Sequence, residues 1–82
     1  MNFSKSDYKI CIVGLGYVGL PLSAIFASKG FDIIGFDINN IRVKELSSNI
    51  DRNDDIDLDK LKILNQNSKL TSNLNDIQDC NV

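Results

Sequence analysis

The chain has no histidine. Within its 82 residues, that removes most zinc sites and the commonest side chain for proton transfer. Cysteine is scarce too. Cys11 and Cys80 stand far apart and form no CxxC, so neither a metal spacing nor a redox motif is written here. So sparing a use fits a reducing, cytoplasmic setting. Excess positive charge is also missing. Nine basic residues against eleven acidic ones leave a net charge of −2, and the basic ones are scattered rather than striped. A nucleic-acid partner is therefore not expected. There is no internal repeat and no low-complexity tract. At 43% hydrophobic and 24% charged, the chain is of ordinary globular composition. Its length allows one small domain, near the lower limit for a self-sufficient core.

Charge is absent from one stretch, Ile10 to Ala27. Lys5 and Lys9 precede it, as basic residues precede a signal or short spanning segment. Against a membrane stand Gly14, Gly16, Gly19 and Pro21 inside the run. β-Branched residues also come first and helix formers second, which suits two elements better than one.

Tyr8 to Val13, "YKICIV", reads as a strand buried on both faces of a parallel sheet. The glycines end it. A helix is expected from about Val18 to Lys29, with Leu20, Ala24 and Ala27 inward and Ile25 and Phe26 widening the apolar face. Pro21, the only proline, falls near the first turn, where amides have no intrahelical acceptor to lose. Gly30 suits a left-handed C-terminal cap. "DIIGFD", Asp32 to Asp37, is a second strand. Asn39 can cap a helix over Ile41 to Asn49 that buries Val43, Leu46 and Ile50, with Asn49 as terminator. Asp51 to Asp57 reads as a solvated acidic loop. Leu58 to Gln66 reads as a short helix with Leu58, Leu61 and Leu64 aligned. "KLTSN", 69–73, is a third strand, and an apolar tail follows. Strands alternating with helices imply parallel pairing and right-handed crossovers, the first half of a doubly wound sheet.

"GLGYVG", Gly14 to Gly19, fits G-x-G-x-x-G between a strand and a helix, the context that gives the pattern meaning. Gly14 would turn the chain, Gly16 would let a pyrophosphate approach the backbone, and Gly19 would let helix and strand pack closely. Amides near Tyr17 and Val18 would face the phosphates. Asp37 lies 18 residues beyond Gly19, where a carboxylate can accept from both adenosine ribose hydroxyls and oppose a 2′-phosphate. NAD is thus expected over NADP. The plainer reading of Asp37 is a helix cap or solvated strand end. That of Arg42 is a solvated helix residue, though it could reach back over the adenine.

These residues carry a resemblance. "GLGYVGLPL", then "GFDIN" and "RV..L", are similar to the amino terminus of the UDP-sugar 6-dehydrogenases. The branch most resembled oxidises UDP-N-acetylhexosamines. "NIDRNDD" and "LTSNLNDIQDCNV" extend the likeness over nearly the whole chain. Asn49 stands where glycine is expected, and Asn53 where threonine is. The resemblance implies a Rossmann-type α/β sheet in βαβααβ order, and an oxidoreductase that converts a C6 alcohol to a carboxylate in two NAD-dependent steps. It further implies a role in making surface-polysaccharide precursors, and a cytoplasmic, homo-oligomeric parent with no membrane partner. The catalytic cysteine and lysine would lie downstream, and neither Cys11 nor Cys80 matches. Residues 1–82 would then be the amino-terminal part of the NAD-binding domain, stopping near the start of a fourth strand at about Val82. Other readings are a hydroxyacid or phosphogluconate-type dehydrogenase, or a non-catalytic nucleotide-sensing domain.

Overall fold

The computed structural model describes residues 8–78 and 80. Three parallel strands form one sheet in the order β1-β2-β3: β1 (Lys9–Val13), β2 (Asp32–Phe36) and β3 (Ser68–Thr71). Between β1 and β2 runs α1 (Gly19–Ser28). Between β2 and β3 run α2 (Asn40–Ser47) and α3 (Leu58–Asn67). A 3-10 turn, Leu74–Ile77, follows β3 and lies against β2. The charge-free run is thus divided between a strand and a helix. No helix among the described residues is long and apolar enough to cross a membrane.

Register sorts the strand side chains. Ile10 pairs with Ile33 and Ile12 with Gly35, and with Leu70 beside Gly35 these positions share the face that the helices cover. The core lies there: Ile10, Leu15, Leu20, Ala27, Ile33, Val43, Leu46, Leu61 and Leu64. Each fully buried aliphatic side chain stabilises the fold by about 1.5–3 kcal/mol. Cys11, Val13 and Ile34 alternate onto the other face and keep some or much of their surface exposed. β1 pairs with β2 alone among the described strands.

Several expectations shift. Val18 is the N-cap of α1, not its first residue. Ser23 is fully buried because its hydroxyl donates to the Gly19 carbonyl at 2.7 Å, while Ile25 faces out. Ile50 is 51% exposed, not buried. Asn49 ends the helix at φ +62°, and the backward hydrogen bond from the Ile50 amide to Glu45 takes Ile50 off the helical period. Leu58 is 52% exposed because it opens α3 directly after the N-cap Asp57. The third strand begins at Ser68 and stops at Thr71, where Asn73 caps the 3-10 turn. Gly30 and Asn39 do as expected. Gly30 adopts φ +87°, and the Asn39 side chain accepts the Arg42 amide at 3.1 Å. The expected fourth strand at Val82 lies outside the described residues.

Candidate cofactor site

The site forms where β1 and β2 end. The Gly14 amide donates to the Phe36 carbonyl at 2.7 Å, so the chain leaves β1 still bonded to its neighbour. It then turns through Gly14 at φ +94°, a conformation costly for any residue with a Cβ. The Leu15 side chain drops into the core with no exposed surface. α1 begins at Gly19, and a Cβ on Gly19 would stand 1.7 Å from the Gly14 carbonyl oxygen. No side chain fits, so the glycine is what lets the helix meet the strand. Gly16 differs: a Cβ there would meet nothing within 4 Å. The space beside it is open, as an approaching pyrophosphate requires. Tyr17 and Val18 are exposed at 86% and 69%. The amides of Gly16, Tyr17 and Val18 donate to no group among the described residues. They sit at the amino end of a ten-residue helix, where partial positive charge gathers and anions are favoured.

Asp37 follows the last residue of β2. Its amide donates to the Thr71 carbonyl at 3.1 Å. Its carboxylate accepts twice from the backbone, from the Leu15 amide at 2.9 Å and the Asn39 amide at 2.8 Å. Asp37 is therefore neither the helix cap, which is Asn39, nor a free solvated end. A carboxylate has about four acceptor positions, so two hydroxyls can still be received.

Arg42 corrects the expectation of a solvated helix residue. It is buried, and its guanidinium spreads over three partners. Nε and Nη2 both donate to the Leu15 carbonyl, at 3.0 and 2.9 Å. Nη1 donates to Asp51 and Nη2 to Asp55, at 2.8 and 2.9 Å. The acidic loop is corrected with it: the Asp51 and Asp55 side chains are only 6% and 11% exposed. Burial alone would raise the Asp51 carboxyl. The Ile56 amide and the Arg42 guanidinium outweigh it and hold the group below the usual aspartate range. Sequence reasoning missed both aspartates, since a loop so rich in charge reads as solvent-facing. It missed Gly35 as well. A Cβ there would come within 2.8 Å of Leu70 and 2.9 Å of Leu15. The signal available was a lone glycine inside a short strand.

A turn of glycines after the first parallel strand, an open backbone at the helix start and a carboxylate closing the second strand together define a dinucleotide-binding α/β unit. Residues 8–82 match the UDP-glucose/GDP-mannose dehydrogenase family, NAD binding domain, and the chain belongs to that family. It is 49% identical to Protein CapL of Staphylococcus aureus over 69 residues, 84% of this chain and 16% of that protein. It is 47% identical to a UDP-N-acetyl-D-glucosamine 6-dehydrogenase of Pseudomonas aeruginosa over 76 residues, 93% of this chain and 18% of that enzyme. Among solved structures, a UDP-D-ManNAc dehydrogenase from Pyrococcus horikoshii superposes with a TM-score of 0.80 at 34% identity, over 89% of this chain and 18% of that one. The chain thus spans less than a fifth of the length of these relatives. NAD is the cofactor that the family domain binds.

Proposed function

We propose that this chain is the NAD-binding portion of a dehydrogenase that oxidises the C6 alcohol of a UDP-N-acetylhexosamine, or of UDP-glucose, to a uronate. The product would serve surface-polysaccharide synthesis in the cytoplasm, made by a homo-oligomeric enzyme without nucleic-acid or membrane partners. The observation that carries the reading is the open, amide-lined backbone at Gly16 facing the start of α1, with Asp37 fixed beside it. Gly14, Gly16, Tyr17, Val18 and Gly19 would receive the pyrophosphate, and Asp37 the adenosine ribose. Arg42 would act from beneath the loop, since the Leu15 carbonyl and two carboxylates occupy most of its guanidinium. The chemistry supplied by NAD is hydride acceptance. The residues of this chain bind and orient the cofactor and carry out no step on the sugar.

The test is made on the intact protein. NADH formation with UDP-N-acetylmannosamine, UDP-N-acetylglucosamine, UDP-N-acetylgalactosamine and UDP-glucose reads the substrate. Calorimetry with NAD and NADP reads the cofactor. NAD should bind more tightly, and Asp37→Asn should narrow the gap, because it removes the charge that opposes a 2′-phosphate. Equal binding of the two cofactors by the unaltered protein would refute the role given to Asp37. Turnover of none of these sugars would refute the substrate class.

A further inference from the structure

The two backbone polar groups of Leu15 are each pinned by a residue further along the chain. Its amide donates to Asp37, 22 residues on, and its carbonyl accepts from Arg42, 27 residues on. The second bond has a directional consequence. The Leu15 carbonyl and the Gly16 amide belong to one planar peptide unit, and the described chain has no cis peptide bond. In a trans unit the C=O and N–H point in opposite senses. A guanidinium holding the carbonyl therefore turns the Gly16 N–H to the opposite side, away from Arg42, and that amide donates to no group among the described residues. Arg42 can hold that carbonyl only while its own plane is fixed. Asp51 and Asp55 fix it through two charge-assisted bonds on different nitrogens, with all three side chains largely buried. The Asp51 carboxylate is anchored in turn, accepting the Ile56 amide on its second oxygen at 3.0 Å.

We propose that Asp51 and Asp55 are positioning residues for the phosphate cradle, acting through Arg42 and the Leu15 carbonyl to aim the Gly16 N–H at the dinucleotide's pyrophosphate. The proposal rests on the NAD-binding reading above. It assigns to the acidic loop a share in cofactor affinity, although neither carboxylate touches the cofactor.

The experiment uses the intact protein and two variants, Asp55→Asn and Asp51→Asn. Asp55→Asn is the milder, since Asp51 also holds the Ile56 amide. Affinities for NAD, for ADP-ribose (pyrophosphate without nicotinamide) and for adenosine (no phosphate) are measured by calorimetry and ligand-observed NMR, with melting temperatures alongside. Each variant should weaken NAD and ADP-ribose by about tenfold, as loss of an orienting partner does at other sites, and leave adenosine nearly unchanged. Restoring the charge with Asp55→Glu should recover part of the loss. Variants that stay folded and keep full affinity for ADP-ribose would overturn the proposal. So would equal losses for ADP-ribose and adenosine, which would report general damage. If the unaltered protein binds neither NAD nor ADP-ribose, the cofactor reading itself fails, and that result is distinct from either of these.

Discussion

Gly16 and Gly19 stand three positions apart in one motif and are glycine for different reasons. Beside Gly16 there is room for a side chain within this chain, and the room is what a ligand would take. Beside Gly19 there is none, because the Gly14 carbonyl already occupies it. The two substitutions should separate binding from folding. Gly16→Val should leave the melting temperature within a few degrees of the parent, about the effect of a small surface change, and abolish NAD binding. Gly19→Ala should lower stability by about 3 kcal/mol or more, beyond the usual cost of overpacking, since the clash is with backbone that cannot swing aside. Thermal melts followed by calorimetry with NAD check both. Unimpaired NAD binding by Gly16→Val would remove the cradle from that position. These roles could be read in advance because G-x-G-x-x-G fixes backbone geometry locally. Arg42 and Asp37 could be placed in advance only as candidates, since the Leu15 groups that both bind lie more than twenty residues away and no local spacing encodes them.

At the scale of elements, the boundaries that could be read are those with a local cause: Asn39 as a cap, Asn49 and Gly30 in left-handed turns, glycines closing β1. Those that moved depend on tertiary contact. Ser23 is interior because the helix carbonyl at Gly19 satisfies it, and the 51–57 loop is partly buried at Asp51, Asp55 and Ile56 because Arg42 partly neutralises the two carboxylates. That neutralisation gives the loop a pH dependence. Asp51 is held below its ordinary range in the folded protein, so its contribution is fully present above the unfolded value of about 3.9 and is lost as the pH falls through the folded one. Asp76 adds to the same trend. The Thr71 hydroxyl first, then Lys69, keep its carboxyl low. Removing the Asp51 charge should therefore cost stability near neutral pH, by about 1–3 kcal/mol given that Asp55 still partners Arg42. Denaturant melts of Asp51→Asn against the parent should show that difference shrinking below about pH 4, once the parent's own carboxyl is protonated. A difference that stays constant down to the acid transition would contradict the assignment.

For the molecule as a whole, the sheet order matches the 3-2-1 side of a doubly wound sheet, in which the first strand is central. Among the described strands, β1 is instead an edge. Val13 on it is 70% exposed, and Cys11 and Ile34 lie on the face away from the helices. Burial raises the Cys11 thiol, and so does the neighbouring Cys80, so the segment after the 3-10 turn reaches this same strand. A largely apolar edge with one neighbour among the described strands favours recruitment of further strands. The 82-residue polypeptide expressed by itself should therefore self-associate at high concentration. Sedimentation velocity over a range of concentrations checks this, and a thermally stable monomer throughout would contradict it. One feature of the cradle also bears on how the protein is made. Its glycines are made before the residues that fix Leu15, which follow that residue by 22 and 27 positions, and Asp55 stands 13 beyond Arg42. A nascent chain carries the nucleotide motif well before it carries the means to shape it. Cofactor recognition is then acquired in translation after the motif itself, and free NAD in the cell has nothing preformed to hold until the acidic loop has cleared the ribosome.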